Sequence, residues 1–189
     1  MKKSNTLKSA GWVRTLVGLS QLLLVVALVG ALIGSLTGFK VGESLPSLKL
    51  KNQNGVEVDL AQFKGKPMIL YFYPKDDTSG CTVEAIQFRD KYDQFKKLGV
   101  VLFGISRQGE KSHQDFIKKL NLPFDLLIDE SGSVGEALGV SSFPVVGIHK
   151  RQTLLIGPDG KLAKFYESVD PEKTADELLR DLSALKLVK

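Results

Sequence analysis

The chain has 189 residues, enough for one domain with a substantial core plus an appendage. Its 26 basic and 21 acidic residues give a formal charge of +5, but Lys2, Lys3, Lys8 and Arg14 fall in the first 39 positions, which hold no acid. The other 22 basic residues nearly cancel the 21 acidic ones, and without a dense basic patch carrying interleaved aromatics no nucleic-acid partner is expected.

The 25 residues from Thr15 to Phe39 carry no charge. As a helix rising about 1.5 Å per residue they span the roughly 30 Å hydrocarbon layer. Basic residues precede the run, which favours a single-pass anchor with the remainder on the non-cytoplasmic side. The competing reading is a signal peptide cleaved near Val29-Gly30-Ala31, leaving a secreted, periplasmic or lumenal product. Residues 1–39 are thus an anchor or signal segment, and 40–189 the globular domain. After a polar link with Gly42 and Pro46, residues 48–59 alternate around Asn54-Gly55 as a hairpin. Asp59 is placed to cap a brief helical turn. The apolar run Met68 to Tyr73 reads as a buried strand ending at Pro74. A helix follows to about Leu98, burying Ala85, Phe88, Tyr92 and Phe95. Strands at Val100–Ile105 and Phe124–Ile128 bracket a helix over about 109–121, and a short helix covers Ser131 to Leu138. Thr153–Ile156 and Leu162–Tyr166 form a hairpin about Pro158-Asp-Gly160. A last helix, with Asp170 as cap and Pro171 at its first position, buries Ala175, Leu178, Leu179, Leu182 and Leu185. Strands alternating with helices predict an α/β domain around a mixed sheet.

Cys81 is the only cysteine, which excludes an intrachain disulfide and any Cys-x-x-Cys motif. It falls in the first turn of the helix after the Met68–Tyr73 strand. There, unpaired N–H groups and the positive end of the dipole favour a thiolate over a thiol. His113 and His149 are too few and too far apart for a metal site and read as surface or helix-face residues. No metal or cofactor is expected.

Pro74-x-x-x-Thr78-x-x-Cys81 resembles the active-site signature of the peroxiredoxins. The wider run Tyr71-Phe-Tyr-Pro-Lys-Asp-x-Thr-x-Gly-Cys-Thr-x-Glu-Ala85 resembles the bacterioferritin-comigratory-protein, or PrxQ, branch. A second block, Gly147-Ile-His-Lys-Arg151 followed by Thr153-Leu-Leu-Ile156, resembles the stretch where that branch places its active-site arginine. The resemblance covers roughly residues 40 to 187 and implies a thioredoxin-like fold. It implies a thiol-dependent peroxidase that reduces hydrogen peroxide and organic hydroperoxides to water and alcohols, protecting the cell against oxidative stress.

In that scheme Cys81 attacks the peroxide and becomes a sulfenic acid. Thr78 offers its hydroxyl to sulfur and peroxide, or caps the helix. Gly80 and Cys81 offer backbone N–H groups, and Arg151 activates the thiol and binds the peroxide. Pro74 shields the thiolate and fixes the loop. Glu84 matches the branch pattern as a helix-surface residue in a supporting role. Branch members often carry a resolving cysteine five residues after the first. Here that position is Ile86, expected to be exposed, so an external thiol (thioredoxin, glutaredoxin or glutathione) must reduce the sulfenic acid in a one-cysteine cycle. A monomer is expected. The alternative is a non-catalytic thioredoxin-fold binding module at the membrane; a membrane-tethered disulfide reductase would need two nearby cysteines.

Overall fold

A computed structural model of the chain describes residues 38–143 and 145–188. The expected hairpin pairs β1 (Lys49–Asn52) with β2 (Glu57–Asp59), Lys51 opposite Glu57. Its turn needs the positive φ of Gly55, +73°. Asp59 accepts a hydrogen bond from Ala61 N at 2.9 Å and caps the single 3-10 turn Leu60–Phe63.

Every residue of β3 (Met68–Phe72) is buried, because both faces of this strand are covered. It leads into α1 (Ser79–Lys97), β4 (Val101–Ser106), α2 (Glu110–Leu120) and β5 (Leu126–Ile128). β3, β4 and β5 pair in parallel, with α1 and α2 as the crossovers. A short helix, α3 (Ser133–Ala137), precedes two-residue strands β6 (Ser142–Phe143) and β7 (Ile148–His149), which pair only with each other. The hairpin β8 (Gln152–Ile156) and β9 (Leu162–Tyr166) and the helix α4 (Thr174–Ala184) complete the chain. The main sheet runs β2-β1-β5-β4-β3-β8-β9.

Alternation along β3 divides the core. Ile69, Tyr71 and Tyr73 pack with residues of α1, α2 and α4 on one face. Met68, Leu70 and Phe72 pack with Leu60, Val134 and Leu138 on the other. This is the thioredoxin-like α/β arrangement around a mixed sheet. Because β8 runs antiparallel to β3, with Phe72 opposite Gln152, the end of β3 and the start of β8 lie side by side. Ligand sites of such sheets sit at the carboxyl ends of the parallel strands.

Three features differ from expectation. The last helix starts at Thr174, not Pro171: the Asp170 carbonyl accepts Lys173 N and Thr174 N, and its side chain accepts Glu172 N, which holds residues 171–173 in a turn ahead of the helix. Leu185, at the C-cap, is 44% exposed rather than buried. β6 and β7 were not anticipated. Among the described residues no helix is long and apolar enough to cross a membrane. The run expected to span one lies outside the described residues up to position 37.

Candidate active site

Two segments meet at the open end of β3. One is Pro74–Cys81, between β3 and α1; the other is Arg151, just before β8. Asp77 turns the first segment with φ of +60°, a conformation aspartate tolerates better than most residues. Thr78 is the N-cap of α1, so Cys81 sits in the first turn, where leading N–H groups have no carbonyl within the helix.

Cys81 is 1% exposed. Arg151 Nη2 donates to its Sγ at 3.2 Å, and Nη1 of the same guanidinium donates to Glu84 Oε2. Glu84 lies three residues after Cys81, hence on the same face of α1, and is fully buried. One fixed cation thus bridges the sulfur and a carboxyl group. Burial opposes the charge on Arg151, but Glu84 and Cys81 outweigh it and raise its pKa. Burial pushes the Glu84 carboxyl up to about 7 against the pull of Arg151. A Cβ at Gly80 would stand 3.1 Å from Nη2, so a larger residue there would push the guanidinium back by a few tenths of an ångström.

Sequence reasoning therefore brought Cys81, Gly80 and Arg151 to one place. Pro74 is half-buried where the strand ends. The Thr78 side chain makes no cap bond; its hydroxyl donates to the Lys75 carbonyl at 3.1 Å. Two expectations are corrected. Glu84 is not on the helix surface, since it falls on the stripe Cys81, Glu84, Phe88, Phe95 that faces the core. Ile86 is partly buried against the core beneath α1 rather than exposed.

The histidines are a third correction: both are fully buried rather than on the surface. Each is paired with a buried aspartate. Asp76, inside the Pro74–Cys81 segment, accepts from Tyr73 Oη at 2.7 Å, Ser112 Oγ at 2.6 Å and His113 Nδ1 at 2.9 Å. Gln108 accepts from its backbone N–H. Burial raises the Asp76 pKa, but the bonds from His113, Ser112 and Tyr73 prevail and hold it below the ordinary value. On the other face, Asp129 accepts from Val134 N and Gly135 N and so caps α3. His149 Nε2 lies 3.1 Å from Asp129 Oδ2, off the line a hydrogen bond needs, and a Cβ at Gly135 would collide with the His149 ring. One histidine thus fastens the Pro74–Cys81 segment through Asp76; the other lies within β7, two residues before Arg151, against Gly135 of α3 and Phe72. His113 could be found from its place on the α2 stripe with Phe116 and Leu120. The aspartate partners are too distant in sequence to be seen.

The AhpC/TSA family profile matches residues 41–165. The chloroplastic peroxiredoxin Q of Sedum lineare is 43% identical over 146 residues, covering 77% of this chain and 78% of that protein. Peroxiredoxin Bcp of Bacillus subtilis is 39% identical over 153 residues, covering 78% and 95%. A solved structure of the Xanthomonas campestris bacterioferritin comigratory protein, from work on its alkyl peroxide reduction activity, superposes with a TM-score of 0.70 at 29% identity. It covers 77% of this chain and 99% of that one. These relatives overturn the placement expected from the N-terminal run, a membrane-anchored or exported domain: they are chloroplastic peroxiredoxin Q proteins and a bacterial Bcp, and no described helix crosses a membrane. The chain belongs to the AhpC/TSA family, in its peroxiredoxin Q and Bcp branch, and is a thiol-dependent peroxidase with a single cysteine.

Proposed function

We propose that residues 40–189 reduce hydrogen peroxide and organic hydroperoxides by a one-cysteine cycle in which Cys81 is the nucleophile. The observation that carries this reading is the 3.2 Å contact between Arg151 Nη2 and the buried Sγ in the first turn of α1. A thiolate there is stabilised by a fixed cation, the helix dipole and backbone N–H groups at once. Sulfur attacks one peroxide oxygen, the O–O bond breaks, and the leaving oxygen departs as water or an alcohol. Arg151 and the N–H groups of Gly80 and Cys81 meet the charge that develops on the oxygens. Thr78 joins them once its hydroxyl turns from Lys75. Pro74 closes the mouth of the site. The alkyl peroxide activity named for the Xanthomonas protein supports organic hydroperoxides as substrates.

With one cysteine in the chain, the sulfenic acid has no internal thiol to meet, so an external thiol reduces it: thioredoxin, glutaredoxin or glutathione. Cys81, Glu84 and Arg151 come from one chain, which supports a monomer as the working unit. One equivalent of peroxide added to reduced protein should give a dimedone adduct at Cys81 and no intrachain disulfide. Excess peroxide without thiol should carry Cys81 to sulfinic acid with permanent inactivation. A protein that consumes many equivalents with no thiol present defeats the one-cysteine cycle.

A further inference from the structure

The guanidinium of Arg151 is bonded to two acidic groups: Nη2 meets Cys81 Sγ and Nη1 meets Glu84 Oε2. Both acidic groups are at most 1% exposed. Two anions beside a single cation would leave a net negative charge in the interior, where an incompletely compensated charge is costly. Glu84 is the worse anion of the two. A carboxylate has two oxygens to satisfy, and Oε1 makes no hydrogen bond among the described residues. The titratable and charged groups about it are Arg151 from the start of β8, Tyr71 from β3 and Cys81 from the preceding turn of α1. Tyr71 is itself neutral, its pKa raised by burial first and then by Glu84.

We infer that Glu84 holds the proton released when Cys81 becomes a thiolate, and gives it up when the peroxide is cleaved. This rests on the assignment of Cys81 as the nucleophile. In the reduced enzyme the pair carries one proton, on Glu84, while Arg151 balances the thiolate. Peroxide arrives; sulfur bonds to one oxygen and the O–O bond breaks. The leaving oxygen takes the Glu84 proton and departs neutral. The product state is a neutral sulfenic acid with a Glu84 carboxylate paired to Arg151. The sum, thiolate plus carboxylic acid plus peroxide giving sulfenic acid plus carboxylate plus water or alcohol, draws no proton from solution. Burial lifts the Glu84 carboxyl to about 7, so a proton can be held there near neutral pH.

The test counts protons. Reduced full-length protein in weak buffer with a pH indicator is mixed with one equivalent of hydrogen peroxide at neutral pH. Thiolate absorbance is recorded before mixing and the dimedone adduct at Cys81 after it. The native protein should show a thiolate and take up no proton per sulfenic acid. Glu84→Gln keeps an oxygen acceptor for Arg151 but cannot hold the proton. It should show a thiolate and take up one proton, with attack slower by roughly 10²-fold, the low end of general acid catalysis. Should that variant fail to fold, infrared difference spectra of native protein serve instead: the carboxylic acid stretch present before oxidation should vanish after it. One proton taken up by native protein, none by either protein, no thiolate before mixing, or no loss of the acid stretch overturns the inference and leaves the nucleophile intact. Absence of any Cys81 adduct overturns both.

Discussion

The two arms of the Arg151 guanidinium reach different acidic groups, Cys81 and Glu84. Replacing Arg151 with alanine should slow peroxide attack by about 2–4 kcal/mol of transition-state stabilisation, as expected for a preorganised donor. Lysine should not rescue it, since a compact ammonium cannot present a planar fork to both partners. Single-turnover oxidation rates measure this; an unaltered rate in Arg151→Ala removes the residue from the mechanism. Glu84 yields a prediction in stability. Its carboxyl ionises near 4.5 in the unfolded chain and at about 7 in the fold. The raised value means that the protonated form favours folding: its contribution is complete below the unfolded pKa and is lost as pH climbs to 7. Between about pH 4 and about pH 8 the native protein should therefore lose roughly 3 kcal/mol relative to Glu84→Gln. Urea unfolding of both proteins at the two pH values checks it, and parallel curves refute it.

At the scale of elements, the pairing of β3 with β8 brings the first turn of α1, which follows β3, next to Arg151, which precedes β8. Gly80 gives the sharpest test of that arrangement. Gly80 is the half-buried second residue of α1, and alanine is the better helix former, so Gly80→Ala should leave stability about level. Its Cβ would press on Arg151 Nη2, so peroxide attack should fall while the melting temperature does not. Equal activity in the variant would mean the guanidinium tolerates displacement. The main elements were legible because their signals are local: five apolar residues for β3, a 3.6-residue stripe for α1, and Asn54-Gly55 for the first turn. β6 and β7, two residues each, fall below any periodic signal. The charge of Glu84 points to the surface, whereas its position, three and four residues from Cys81 and Phe88 on one stripe, points to the core. The bridge from Cys81 to Arg151 joins residues 70 apart and was visible only through family resemblance. Asp76 and His113, 37 apart, carried no such aid.

For the whole molecule, the sheet and its helices bury Cys81 beside a partly exposed Arg151, and the chain supplies one thiol in 189 residues. In the proposed cycle, turnover combines a nucleophile fixed in the fold with a reductant that comes from outside. The most direct measurement is the time course of hydrogen peroxide loss with a thiol donor, native protein against Cys81→Ser. Serine has no accessible anion at neutral pH but occupies the same turn, so the fold should persist, as circular dichroism would report. The native protein should consume peroxide for as long as thiol lasts and stop when it is spent, and the variant should consume none above background. Substantial thiol-dependent consumption by Cys81→Ser would contradict the account.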